Sequence, residues 1–151
     1  MLTRAGTIAL RALVELSRQP DSLISGPELA RRQGLPEARL EQVLLQLRAA
    51  DLVEARRGRS GGYRLMGRPE DVMLAKVLDA VGGRRRTLMP AERAEPEGSS
   101  ALAGDQLERQ LLMRLERALE RELGRLSLAE LLYDQRSWEA SLDPEGGLML
   151  G

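Results

Sequence analysis

The chain contains no cysteine, no histidine and no phenylalanine, and only two tyrosines and one tryptophan in 151 residues. The first two absences remove disulfides, thiolate metal sites, Cys or His nucleophiles and imidazole acid–base catalysis together. Carboxylates, hydroxyls and the single lysine, Lys76, remain, and nothing groups them into an active site, so no enzyme is expected. With aromatics scarce, the core has to be built from Leu, Val, Ala and Met, which favours helices over a β-sandwich. Apolar runs long enough to span a membrane are missing. The opening Met1-Leu2-Thr3-Arg4 lacks a signal-peptide layout, so cytoplasmic residence is the expectation.

The zero net charge hides an asymmetry. Residues 1–86 hold 16 basic against 10 acidic side chains; residues 87–151 hold 7 against 13. A basic N-terminal module joined to an acidic one fits this division. All the cations except Lys76 are Arg, the better donor to phosphate and to guanine, although a GC-rich genome favours Arg as well.

The pattern of elements reads as mainly α with one small β-hairpin. Ile8, Leu10, Leu13, Val14 and Leu16 make an apolar helical face over residues 4–17, with Thr3 as N-cap. Ser25-Gly26-Pro27-Glu28 has the form of a capping box and opens a short second helix that stops at Gly34. A third helix from Pro36 to about Ala50 repeats Leu40, Val43, Leu44 and Leu47 at helical spacing. Two helices across a Gly-Leu-Pro turn make a helix-turn-helix. Strands at 52–55 and 63–65 flank Arg56-Arg57-Gly58-Arg59-Ser60-Gly61-Gly62, a cationic tip, so the hairpin is a wing. A fourth helix is expected from Pro69 to about Val81. Residues 84–104 read as a linker. The longest helix starts at Asp105 and carries Leu107, Leu111, Leu112, Leu115 and Leu119 as a stripe too large to stay bare on a soluble monomer. Ser127 opens a short closing helix through about Asp134, with Trp138 docked behind it, and the tail is taken as disordered. The expected division is thus a winged helix-turn-helix head at 1–83, a linker at 84–104, a dimerisation region at 105–140 and a tail at 141–151.

In order along the chain, Arg32-Gln33-Gly34-Leu35, Leu40-Glu41-Gln42, Arg57-Gly58 with Gly61-Gly62-Tyr63-Arg64-Leu65, and Val77-Leu78-Asp79-Ala80-Val81 resemble the Rrf-two type of bacterial transcription regulators, the IscR-like family. The resemblance covers residues 1–83 closely and 105–134 more loosely. It implies a homodimer with crossed long helices, a palindromic promoter element, the third helix in the major groove and the wing at the flanking minor groove. Cluster-bearing members place three cysteines between the post-wing helix and the long helix. Residues 83–104 contain none, and an all-carboxylate site lacks the soft donors an iron–sulfur cluster needs, so no cofactor or metal is expected. Ile8 also stands where many members have tyrosine.

Within that frame Arg39, Glu41, Gln42 and Gln46 are the candidates for base readout, since Arg donates twice to guanine, Gln pairs with adenine and Glu accepts from cytosine. For Glu41 a solvent-facing carboxylate or a cap partner is the competing reading. Arg4, Arg31, Arg56, Arg57 and Arg59 are candidates for the DNA backbone or minor groove. Tyr63 is expected to pack the base of the wing, with a phosphate contact as the lesser reading. The expected partners are double-stranded DNA and a second copy of the chain. Two alternatives stay open: a regulator of the same fold switched by a small ligand or protein effector, and a module that binds proteins only.

Overall fold

The computed structural model describes residues 2–83 and 97–143. Helix α1 spans Arg4–Ser17, as its apolar periodicity predicts, and the Thr3 hydroxyl caps it by accepting from the Gly6 amide at 3.1 Å. Its inner face buries Ala9, Ala12, Leu13 and Leu16 completely and forms the axis on which the rest packs. Each such Leu contributes about 1.5–3 kcal/mol by leaving water.

Helix α2, Gly26–Gln33, and helix α3, Glu37–Ala49, lie on α1 and on each other. A polar clamp fixes α2: the buried Glu15 carboxylate of α1 accepts from Gln33 Nε2 at 2.7 Å and from Arg32 at 3.5 Å. The expected capping box at Ser25 is half made. Ser25 Oγ accepts from the Glu28 amide at 3.3 Å, but the Glu28 carboxylate turns to Arg31 and Arg32 instead of reaching back. In α3 the buried side chains are Leu40, Val43, Leu44 and Leu47.

Strands β1, Val53–Arg56, and β2, Gly62–Leu65, pair antiparallel with Val53 opposite Leu65 and Arg56 opposite Gly62. Ile24, just before α2, exchanges both backbone hydrogen bonds with Tyr63 and so adds a one-residue third strand.

Beyond the wing the structure departs from the expected helix over 69–81. Pro69–Asp71 forms a single 3-10 turn, and helix α4 covers only Leu74–Ala80. Between them Val72 and Met73 are extended, because their backbone pairs with a distant segment: the Leu74 amide donates to Leu126 O at 2.8 Å and the Leu128 amide to Val72 O at 2.9 Å. The local acidic-start signal marked the 3-10 turn; the pairing that ends it is non-local.

Helix α5 runs Gly98–Leu123 and so begins before Asp105, taking in residues assigned to the linker. Helix α6 runs Leu128–Leu142, well past Asp134, and the Ser127 amide donates to Glu130 Oε2 at 2.8 Å in a complete capping box. Trp138 sits on this helix and is 68% exposed; it does not dock. Residues 84–96 and 144–151, which hold most of the expected linker and tail, lie outside the described residues. Helix α6 packs along α1, and Arg18 pairs with Glu139 at its far end. Leu123, Leu128 and Leu132 thereby join the same core as the N-terminal helices. Among the described residues no helix is long and apolar enough to cross a membrane.

Candidate nucleic-acid interface

With Leu40, Val43, Leu44 and Leu47 turned inward, helical geometry assigns the remaining positions of α3. Ala38, Gln42, Leu45 and Ala49 follow each other at spacings of four, three and four and form the outermost ridge, all exposed. Arg39 and Gln46 flank this ridge on one side and are exposed; together with Gln42 they border a shallow groove against Ala5 and Ile8 of α1. Glu41 and Arg48 flank it on the other side.

Glu41 faces the wing. Tyr63 in β2 donates its hydroxyl to Glu41 Oε2 at 3.1 Å. Burial, reinforced by the Glu41 carboxylate, pushes the Tyr63 phenol above its ordinary pKa. Gly26, the first residue of α2, closes this corner: a Cβ there would lie 2.0 Å from Glu41 Oε1. Three elements thus meet at one polar contact, which fixes how the hairpin stands against α3. Gly62 serves the same end. A Cβ at Gly62 would fall 2.6 Å from the Ile24 carbonyl, so the Ile24–Tyr63 pairing requires glycine.

The wing carries its charge at the tip. Arg64 pairs across the strands with Glu54, and Arg56 lies 3.9 Å from the same carboxylate. Arg57 and Arg59 are exposed and make no ion pair with another described residue. Arg4 is exposed in the first turn of α1. Arg31 is exposed but held, its guanidinium donating twice to Glu28 at 2.9 and 2.7 Å. That pair and the Arg32 contact lower the Glu28 carboxyl to about 2.

The structure therefore gathers Arg39, Gln42 and Gln46 on one outward surface, brings Glu41 and Tyr63 together at its edge, and leaves Arg57 and Arg59 exposed at the tip of the wing. Leu45 and Ala38 also stand on that surface, and a search for side chains that hydrogen-bond to bases does not single them out. A signal existed: Leu45 is out of phase with the Leu40–Leu47 stripe. On α5, Leu107, Leu111, Leu115 and Leu119 form an exposed apolar stripe, and Leu112 is half-buried.

A helix-turn-helix followed by a wing, closed by two C-terminal helices, defines the winged helix-turn-helix class. Residues 2–134 match the profile of the Rrf2 (Rrf-two) family, described as "Iron-dependent Transcriptional regulator", and the chain belongs to that family. It is 34% identical over 141 residues to the candidate HTH-type transcriptional regulator slr0846 of Synechocystis sp., covering 93% of this chain and 92% of that protein. It is 30% identical to the HTH-type transcriptional regulator IscR of Vibrio atlanticus, covering 93% of this chain and 79% of that one. Among solved structures, CymR, the global cysteine regulator of B. subtilis, superposes with a TM-score of 0.68 at 26% identity, covering 88% of this chain and 96% of that one.

The family description names iron; the thiolate donors that hold iron–sulfur clusters, and the imidazole that replaces them in some, are both missing from the sequence, so its side chains do not fit such a cluster. Among the described residues no group of three or more carboxylates is placed to hold a metal ion.

Proposed function

We propose that the chain is a sequence-specific transcription regulator that binds double-stranded DNA as a homodimer on a palindromic element and does so without an iron–sulfur cluster. Helix α3 enters the major groove, where Arg39, Gln42 and Gln46 meet base edges, and Glu41 fixes the angle of the wing through Tyr63 or accepts from a cytosine amine. Arg56, Arg57 and Arg59 reach the adjacent phosphates or minor groove, and Arg4 and Arg31 contact the backbone. Two copies associate through the α5 stripe of Leu107, Leu111, Leu112, Leu115 and Leu119, which spaces the two α3 helices on one face of the duplex.

The observation that supports this reading is the Tyr63–Glu41 contact, which joins α3, with its exposed outer ridge, to the wing that carries the exposed Arg57 and Arg59. A protein-binding module would have no use for that juxtaposition. The test is selection of duplexes from a random DNA library at near-physiological salt, using purified, metal-free protein with nothing added. Enrichment of an inverted repeat with half-sites about one helical turn apart is expected. Enrichment only after iron is supplied removes the cofactor-free claim, and absence of any DNA binding removes the regulator reading.

A further inference from the structure

The outer ridge of α3 is unusual for a surface meant to hydrogen-bond to bases. Of Ala38, Gln42, Leu45 and Ala49, only Gln42 has a polar side chain. Leu45 is 59% exposed, while the leucines at 40, 44 and 47 of the same helix are wholly buried. A single exposed leucine carries no message by itself. Here, however, it stands at the centre of the surface that faces the proposed ligand, next to Gln42 and Gln46 and between flanking Arg39 and Arg48. The two alanines let the helix backbone approach the groove floor, and the arginines to either side complement phosphate. An apolar knob in that setting has one apolar feature to meet on a base edge, the C5-methyl group of thymine.

We infer that Leu45 is a specificity-determining residue that reads a thymine methyl in the major groove. The inference rests on α3 being the element that enters the groove. Gln42 and Leu45 are three residues apart, so their Cα atoms are separated by about 4.5 Å along the helix. That is a little more than one base step of about 3.4 Å. The thymine read by Leu45 therefore lies one or two steps from the base read by Gln42, and each half-site contains this pair. Leu45 selects by contact with a methyl group, so it discriminates thymine from cytosine and from uracil without forming any hydrogen bond.

The test uses the full chain and the duplex recovered by selection. Each thymine is replaced singly by deoxyuridine, which removes the methyl and keeps the base pair. At one position per half-site, deoxyuridine is expected to weaken binding of the unaltered protein roughly fourfold, the effect of exposing one methyl group. Leu45→Ala is expected to bind the thymine and deoxyuridine duplexes equally at that position while keeping its thermal stability, because the side chain removed is not in the core. Indifference of the unaltered protein to deoxyuridine everywhere, with specific binding intact, overturns the assignment of Leu45 alone. So does a Leu45→Ala protein that keeps full sensitivity to deoxyuridine, since another residue then reads the methyl. Failure to bind any specific duplex overturns the regulator reading and this inference with it.

Discussion

The Tyr63 hydroxyl and the Glu41 carboxylate meet at 3.1 Å where the wing touches helix α3. The two residues are 22 positions apart in sequence, and neither element fixes the other by its own propensity. Replacing Tyr63 by Phe removes the donor and leaves the half-buried carboxylate with one partner fewer. A stability loss of about 1 kcal/mol is expected, read from the urea midpoint. The phenol gives a second readout. Because Glu41 adds to the burial that raises the Tyr63 pKa, Glu41→Gln should lower it. In a Tyr133→Phe background only Tyr63 titrates as a phenol, and an unchanged curve would show that the contact is not made in solution.

Gly6 and Gly83 pack backbone to backbone. A Cβ at Gly6 would come 2.3 Å from the Gly83 carbonyl oxygen and 2.8 Å from its Cα, and a Cβ at Gly83 would come 2.6 Å from the Gly6 Cα. The Thr3 amide also donates to Gly83 O at 2.7 Å, so the segment after α4 is held against the start of α1. Backbone cannot rotate away as a side-chain end can. Gly6→Ala should therefore destabilise the chain by roughly 1–3 kcal/mol. Thermal denaturation measures this, and Gly34→Ser serves as a comparison, since a Cβ at Gly34 meets nothing within 4 Å and suffers only from its left-handed φ of 61°.

Most of the head was legible in the sequence because its signals are local. Thr3 caps α1, Ser25 caps α2, and the in-phase leucines of α3 point to the core as their spacing says. Local signals failed where a distant strand or an extended apolar surface decides. Val72 and Met73 leave the expected helix because their backbone pairs beside Leu126 and Leu128. Residues 98–104 are helical although Gly98, Ser99 and Ser100 read as turn formers, and α6 continues through Trp138 with that side chain still in solvent. In the candidate interface, residue types that hydrogen-bond to bases are visible in the sequence itself. The orientation of Glu41 toward Tyr63 depends on the close approach of Gly26 and Gly62 to their neighbours, which no spacing rule encodes.

Glu28 gives an acid-dependent term with a definite sign. Its hydrogen bonds from Arg31 and Arg32 lower its pKa to about 2 in the folded chain, against an ordinary glutamate value near 4.3 when unfolded. The stabilisation is complete above the unfolded value and is lost as pH falls from there toward 2. Glu28→Gln should flatten the acid side of a melting-temperature profile over that window and leave the neutral side nearly level. The same substitution releases Arg31, so DNA affinity at low salt should rise if Arg31 reaches a phosphate. An affinity that stays level would remove Arg31 from the interface.

Arg57 and Arg59 at the wing tip lack ion partners among the described residues, and a phosphate contact would engage them without breaking any existing pair. Substituting both with Ala should weaken binding to every sequence by a similar factor. If each meets one phosphate, the slope of log affinity against log salt should shrink by about 0.9 per arginine. Arg39→Ala should instead change which base is preferred, with less effect on the slope. Identical behaviour of the wing and helix variants would dissolve the division between backbone contact and base readout.

The proposed homodimer turns on α5. Leu107, Leu111, Leu115 and Leu119 recur every four residues, and their exposure falls from 70% at Leu107 to 37% at Leu119. Such a contiguous apolar stripe is costly in water, and a second α5 crossing it would bury several leucines at about 1.5–3 kcal/mol for each one fully covered. Charges placed at the middle of the stripe should prevent that contact without touching the core, since neither Leu111 nor Leu115 is buried in the single chain. Leu111→Glu with Leu115→Glu is expected to halve the sedimenting mass while preserving the helical circular dichroism signal. The same variant should lose its preference for an inverted repeat over a single half-site, because the two α3 helices are no longer held at a fixed separation. A double variant that sediments as the unaltered protein does would place the dimer contact elsewhere, and an unaltered protein that is already a monomer at micromolar concentration would remove the palindrome from the proposal.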